Sequence, residues 1–428
     1  MTDRLQMPPI TVPDKLAVPE PNKVVFPNGT EVWLLEGGSQ ELCKIDFLFD
    51  AGSWYQSANL VAGLTNAFLN QGTRNSTAQQ SAEFFDSRGA YLQQSADQQY
   101  GFVSVLTLNT YLDDILAKTA EIIFEPVFPE MECRAQIAKK KQQFRIENSK
   151  VKVMAQKRFS QVLFGERHPY ANTNSLDDYD RLTREQMIAF HEKNYRKKRP
   201  RIVVAGNRPE QALKQLESLF GRNEVEAEPE ETSLSFPVAS DPEHVHWVEK
   251  ADALQSAIRI GRPVPGYGHP DFEGLIVLST LLGGYFGSRL MTKLREEKGY
   301  TYGIGSGIFI LRNAAYFSIM TEVGAGVGMA ALNEIANERR RLIAEAVSDK
   351  ELDLVRNFMT GEILRSIDGI LATSETLKAF LENDRDLQQL NKQLQTIRQI
   401  TPERLQELAH RYLHDDQLWT VVAGPLGS

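Results

Sequence analysis

A chain of 428 residues exceeds what one ordinary core fills and implies two or more domains. With 42% hydrophobic and 24% charged residues it reads as soluble and globular, and a formal net charge of −8 argues against a nucleic-acid partner, for which a basic face is the usual footprint. No run approaches the ~18 apolar residues of a membrane span, the start MTDRLQMPPITVPDKLAVPEP lacks the apolar core of a signal peptide, and two cysteines, Cys43 and Cys133, make no disulfide framework. Cytoplasmic residence is therefore expected.

Up to about Pro21 the chain is proline-rich and polar, an arm laid on the surface or partly disordered. Lys23–Phe26 and Val32–Leu35, separated by a turn at Asn28-Gly29, predict a hairpin. Ile45–Phe49 predicts a further strand. Helices are predicted from near Gly63 and from Thr77, a good N-cap, to a stop at Gly89. Strands at Tyr91–Ser95 and Tyr100–Leu108 then precede a helix over Leu112–Phe124, which Pro126 ends. Helical patterning dominates from there to Tyr195, and Arg201–Ala205 closes the half as a strand.

The second half repeats the first. LTREQMIAFHEKNY from Leu182 aligns with ITPERLQELAHRYL from Ile400, and RIVVAGN aligns with WTVVAGP. Both matches have one offset of 218 residues, from 183 to 401 and from 206 to 424. Between the halves, Gly221 to Pro242 carries Glu224, Glu226, Glu228, Glu230 and Glu231 with Pro229 and Pro237, a linker composition. The organisation implied is residues 1–220, an acidic linker 221–242, and residues 243–428. Strands followed by helices and a closing strand in each half argue for an α+β fold of two homologous α/β sandwich domains, each a mainly antiparallel sheet covered by helices.

The segment Gly287 to Gly307, GSRLMTKLREEKGYTYGIGSG, predicts an amphipathic helix through Leu290 and Leu294 that stops at Gly299 and passes into a strand in which Tyr300, Tyr302 and Ile304 alternate. The reversal brings Arg295 and Tyr302 near one another, two strong donors beside glycines that would let another backbone approach. This segment resembles the Arg/Tyr segment of the pitrilysin/insulinase family of zinc peptidases, in its processing-peptidase-like subgroup, where an SRL...LRE..G.AY pattern recurs. The resemblance implies that Arg295 and Tyr302 match the pair that contacts the substrate carbonyl beside the scissile bond. It extends over nearly the whole chain, since duplicated α+β domains joined by a linker are also what the family shows.

Active members carry HxxEH on the first long helix, with two histidines one turn apart on one metal and a glutamate to activate its water. Here the matching stretch is GLTNAFLNQGTRNST from Gly63, in which Asn66, Leu69 and Asn70 stand roughly where His, Glu and His would be. Asn is a poor zinc ligand and Leu cannot act as a base. The third ligand would fall near IAKKKQQFRIE, where Lys139, Lys140 and Lys141 bring positive charge; that run is otherwise a solvated helix face, or a site for an acidic partner. Of the histidines, His244 and His246 sit at the start of the second half without a carboxylate arranged to complete a metal site, His410 and His414 end a helix beside Asp415 and Asp416, and His168 resembles a structural helix-end position. No phosphate loop and no nucleophile elbow are present.

The sequence therefore implies a chain without catalytic residues or metal ligands of its own and without peptidase activity alone. It would be the non-catalytic subunit of a two-component zinc peptidase, a homologous HxxEH-bearing partner supplying the zinc and this chain supplying Arg295 and Tyr302 around an unfolded peptide. Two other readings stay open: a structural core-type subunit, and a stand-alone peptide-binding homodimer. No nucleic acid, membrane or bound cofactor is expected.

Overall fold

The computed structural model describes residues 15–171, 173–222 and 236–425. Most of the acidic linker, and the arm up to residue 14, lie outside the described residues. The remaining stretch of the arm runs onto the second half, where Leu16 is buried and its amide donates to Asn391 Oδ1 at 2.9 Å.

The first half supplies strands β1 (Asn22–Val25), β2 (Glu31–Glu36), β3 (Leu42–Phe49), β4 (Tyr91–Ala96), β5 (Gly101–Leu108) and β6 (Arg201–Gly206). The second supplies β7 (Val245–Glu249), β8 (Gln255–Val264), β9 (Thr301–Leu311), β10 (Ala314–Gly324) and β11 (Trp419–Gly424). They form two sheets, ordered β1-β2-β6-β3-β5-β4 and β7-β11-β8-β10-β9. In each sheet one pair is parallel, β2 with β6 and β7 with β11, and the others are antiparallel. Leaving out β1, the two orders superpose strand for strand. The aligned AG pairs have a physical reason: a Cβ on Gly206 would sit 2.1 Å from Leu42 O, and one on Gly424 2.4 Å from Ser256 Oγ, so both closing strands end where the neighbouring strand leaves no room for a side chain. The aligned threonines, Thr183 and Thr401, cap their helices by accepting from Gln186 and Arg404 amides.

The helix Val151–Phe164, contributed by the first half, packs on β8 and β11 of the second sheet, and Ile370–Leu381, its counterpart at the same 218-residue offset, packs on β6 and β2 of the first. Both sheet faces are therefore covered. Ile202 and Val204 face their own half's core, whereas Val203 and Ala205 join the core of the second half together with Leu377 and Phe380. Two-sided burial explains why RIVVAG and WTVVAG read as continuous apolar runs rather than alternating ones. Ion pairs bind the exchanged parts: Arg201 reaches Asp384 at 2.7 Å, and Arg312 reaches Asp50 at 3.3 Å and the Tyr100 hydroxyl at 3.1 Å.

Candidate functional site

The predicted helix before Gly299 forms, but its winding is wider than α. Over Met291–Glu297 it is a π-helix, closed by the Lys298 amide donating to Lys293 O at 3.1 Å. Leu290 and Leu294 are fully buried and anchor it to the core. Gly299, with φ +64°, ends it in the left-handed conformation, and the Tyr300 amide donates back to Leu294 O at 2.9 Å. The chain then enters β9, the outermost strand of its sheet.

The expected alternation through Tyr300, Tyr302 and Ile304 is broken at its second member. Ile304 pairs with Thr321 and Thr301 with Val323, so Tyr302 and Gly303 together oppose Glu322, a β-bulge. Thr301 Oγ1 holds it, accepting from the Gly303 amide at 3.0 Å and donating to Glu322 O at 2.7 Å, while Thr321 Oγ1 donates to Gly303 O at 2.9 Å. The bulge turns Tyr302 out of the sheet's packing: it is 91% exposed while Ile304 is buried. Arg295 is also exposed, with its guanidinium 4.9 Å from the Phe286 ring centroid, a cation–π contact on a ring that is itself exposed. Among the described residues neither Arg295 nor Tyr302 makes a hydrogen bond or ion pair within the chain. Beside the bulge opens a cavity of about 610 Å³ lined by Tyr302, Gly303, Gly305, Glu322, Lys152 and Arg259, among others. The last two went unnoticed in the sequence; the signal available was one cation set between Ile258 and Ile260 in an apolar strand.

The stretch expected to stand in for the zinc helix is the helix Val61–Phe68. Asn66 is buried, and its amide nitrogen donates to Phe102 O at 3.1 Å and to the Tyr195 hydroxyl at 3.0 Å. Leu69 is fully buried, and Asn70 accepts from Gln71 at 3.0 Å. The neighbouring cavity, about 840 Å³, is lined from this element by the N-cap Leu60 and by Gly63 and Leu64, and not by Asn66, Leu69 or Asn70. Asn66 Oδ1 is buried without a hydrogen-bond partner, and the groups that its side chain does engage, a carbonyl and a phenol bound by the amide nitrogen, are no zinc ligand set. The residues here do not fit a metal ion, and no group of three or more His, Cys, Asp or Glu suited to one occurs among the described residues. Lys140 lines the cavity and Lys141 is taken by Asp180 Oδ1 at 2.5 Å, while Lys139 is exposed.

The histidines are occupied by the fold. His168 is packed among Trp54, Phe164 and Tyr170, and burial pulls its pKa down despite a hydrogen bond with the Phe236 backbone. His246 engages Glu243 O at 2.7 Å with one ring nitrogen and Arg158 at 3.1 Å with the other. His244 stacks on Trp419, and the His410 and His414 rings meet edge to face, 4.8 Å between centroids, at a helix end.

Residues 181–359 match the family described as Peptidase M16 inactive domain. Over that stretch the chain is similar to a peptidase M16 inactive domain. Its curated relatives include an uncharacterized zinc protease of Mycobacterium leprae, 23% identical over 273 residues, covering 63% of this chain and 61% of that protein. The uncharacterized zinc protease YmxG of Bacillus subtilis is 20% identical over 406 residues, 92% of this chain and 96% of that one. The same two-domain fold recurs in the crystal structure of a peptidase M16 inactive domain from Pseudomonas fluorescens, with TM-score 0.83 and 23% identity over 95% of this chain and 99% of that one. It recurs again in a protease from Helicobacter pylori, with TM-score 0.86 and 20% identity over 95% and 100%. The chain is thus similar to proteins named zinc proteases, and its own sequence contains no HxxEH motif. No helix among the described residues is long and apolar enough to cross a membrane.

Proposed function

We propose that this M16 chain is the non-catalytic subunit of a two-component zinc peptidase, working in the cytoplasm with an HxxEH-bearing homologue. The observation that carries the reading is a pair of exposed hydrogen-bond donors whose side chains have no hydrogen-bond or ion-pair partner among the described residues: Tyr302 on the edge strand β9, and Arg295 on the helix that leads into it. Tyr302, 91% exposed, contributes little to the core beneath it, so packing does not account for a tyrosine at this position. An unfolded peptide would add to β9 as a further strand, its backbone satisfied by the edge amides and carbonyls. With the peptide so placed, Tyr302 donates one hydrogen bond and Arg295 a two-pronged, permanently charged one toward the carbonyl that the partner's site attacks.

The test is co-expression with an HxxEH homologue from the same genome, followed by light scattering and metal analysis. A stable heterodimer with its zinc confined to the partner is the expected result. Monomers only, with both chains at micromolar concentration, or close to one zinc bound by this chain alone, would contradict the proposal.

A further inference from the structure

Arg259, in the interior strand β8, is only 8% exposed. A cation so far removed from water is costly unless an anion answers it. Among the described residues Arg259 forms no ion pair, and its hydrogen bond goes to Met320 Sδ at 3.8 Å, a weak acceptor. Burial pulls its pKa below the ordinary arginine value, and the fields of Tyr316 and Glu322 oppose this only in part. Its side of the strand is that of Ala257 and Gly261, the side covered by the helix Val151–Phe164, and it lines the 610 Å³ cavity next to Tyr302. Lys152, from the first turn of that helix, lines the cavity too and stands 4.0 Å from Glu322, the one carboxylate in the lining.

The edge strand contributes two glycines to the same cavity, Gly303 and Gly305. A Cβ on Gly303 would meet nothing within 4 Å, and one on Gly305 only Gly283 O at 3.8 Å; neither residue has the positive φ that calls for glycine. The fold itself does not require them. Their effect is to leave the β9 wall of the cavity bare.

We propose that this cavity is an anion subsite, which receives a carboxylate from an extended peptide laid along β9, Arg259 serving as its buried ion-pair partner and Lys152 as a second cation. The inference rests on reading β9 as a peptide-receiving edge. In an added strand alternate side chains point to one sheet face, so every second residue is a candidate for the Arg259 side. A carboxylate there gives Arg259 the planar, two-bond partner that the chain itself lacks. That carboxylate is either an acidic side chain or a free C-terminus.

The experiment uses the intact chain alone and three fluorescein-labelled Ser/Thr/Val peptides read by anisotropy. One carries a central Glu and an amidated C-terminus, one a central Gln and an amidated C-terminus, and one the Gln with a free C-terminus. The expected result is that one or both acids bind roughly 10- to 100-fold more tightly than the neutral amide, the range for hydrogen bonds to charged groups. Whichever acid shows the preference identifies the source of the carboxylate. Arg259→Met should remove that preference, and Gly305→Val should do so by filling the cavity at an unchanged melting temperature. Equal binding of all three peptides, or a preference that survives Gly305→Val, overturns the subsite and leaves the edge reading standing. Binding of none overturns both.

Discussion

Replacing Phe159 by alanine tests whether the exchanged helices make the two halves one cooperative unit. Phe159 lies in Val151–Phe164, belongs by sequence to the first half, and is fully buried against Ala257, Val421 and Ala423 of the second sheet. Its ring centroid is 6.2 Å from that of Tyr316, and it fills the space that Gly261 leaves open, where a Cβ would lie 2.9 Å from its ring. Truncating a buried phenylalanine costs about 3–5 kcal/mol, a large share of the ~5–15 kcal/mol that holds a typical fold together. If the halves unfold together, the slowest amides of β6 and of β11 should both exchange roughly two to four orders of magnitude faster, the same free energy appearing in each. The assay is native-state hydrogen exchange read by mass spectrometry under conditions where opening is at equilibrium. Acceleration confined to the helix 151–164, or to one sheet, would refute the claim that the exchanged helices couple the halves.

Glu273 gives a pH signature. Burial, the largest influence, pushes its pKa up to about 7 against the opposing Gln389 hydrogen bond and Lys392 charge, so the folded state favours the protonated acid. Its contribution to stability is complete below the ordinary value of 4.5 and is lost as pH rises to about 7; Glu382, also pushed up to about 7 by burial, acts in the same direction. Melting temperature should therefore fall between those limits and Glu273→Gln should flatten the fall, whereas a curve parallel to that of the parent chain would show Glu273 to be uninvolved. Gly206→Ala should destabilise by more than about 1 kcal/mol in urea titration, since its backbone conformation and the 2.1 Å approach to Leu42 O both exclude a Cβ. Gly303→Ala should leave the urea midpoint unchanged, and the reverse order of the two would contradict the packing argument.

Much of this was legible because local chemistry and global fold agree. The Asn28-Gly29 turn, the Thr77 cap and the Gly299 stop each appear where their residues place them, with φ of +84° at Gly29 and +64° at Gly299. The 218-residue repeat carried the duplicated sheet order, since Thr183 and Thr401 cap and Gly206 and Gly424 close equivalent elements. What stayed hidden depends on partners distant in sequence. The helix exchange leaves no local trace, because an apolar stripe does not say which sheet it covers. The bulge at Tyr302 follows from the Thr301 and Thr321 hydroxyls, whose meeting depends on strand register. Asn66 and Leu69 were matched to the zinc motif by the resemblance, and only the packing of that helix shows Asn66 turned to Phe102 and Tyr195 and Leu69 fully buried.

The most direct test of the central claim is peptide turnover by the assembled pair of this chain and its HxxEH homologue, with Tyr302→Phe and Arg295→Ala made in this chain only. A donor aimed at a developing oxyanion is typically worth about 100- to 1,000-fold in turnover. Each substitution should lower kcat by that order while the heterodimer still forms, and Arg295→Lys should restore part of the loss, since it keeps the charge without the fork. If both variants keep kcat within about twofold of the parent complex, far less than an oxyanion donor supplies, the pair is a surface corner and the two-component account is wrong.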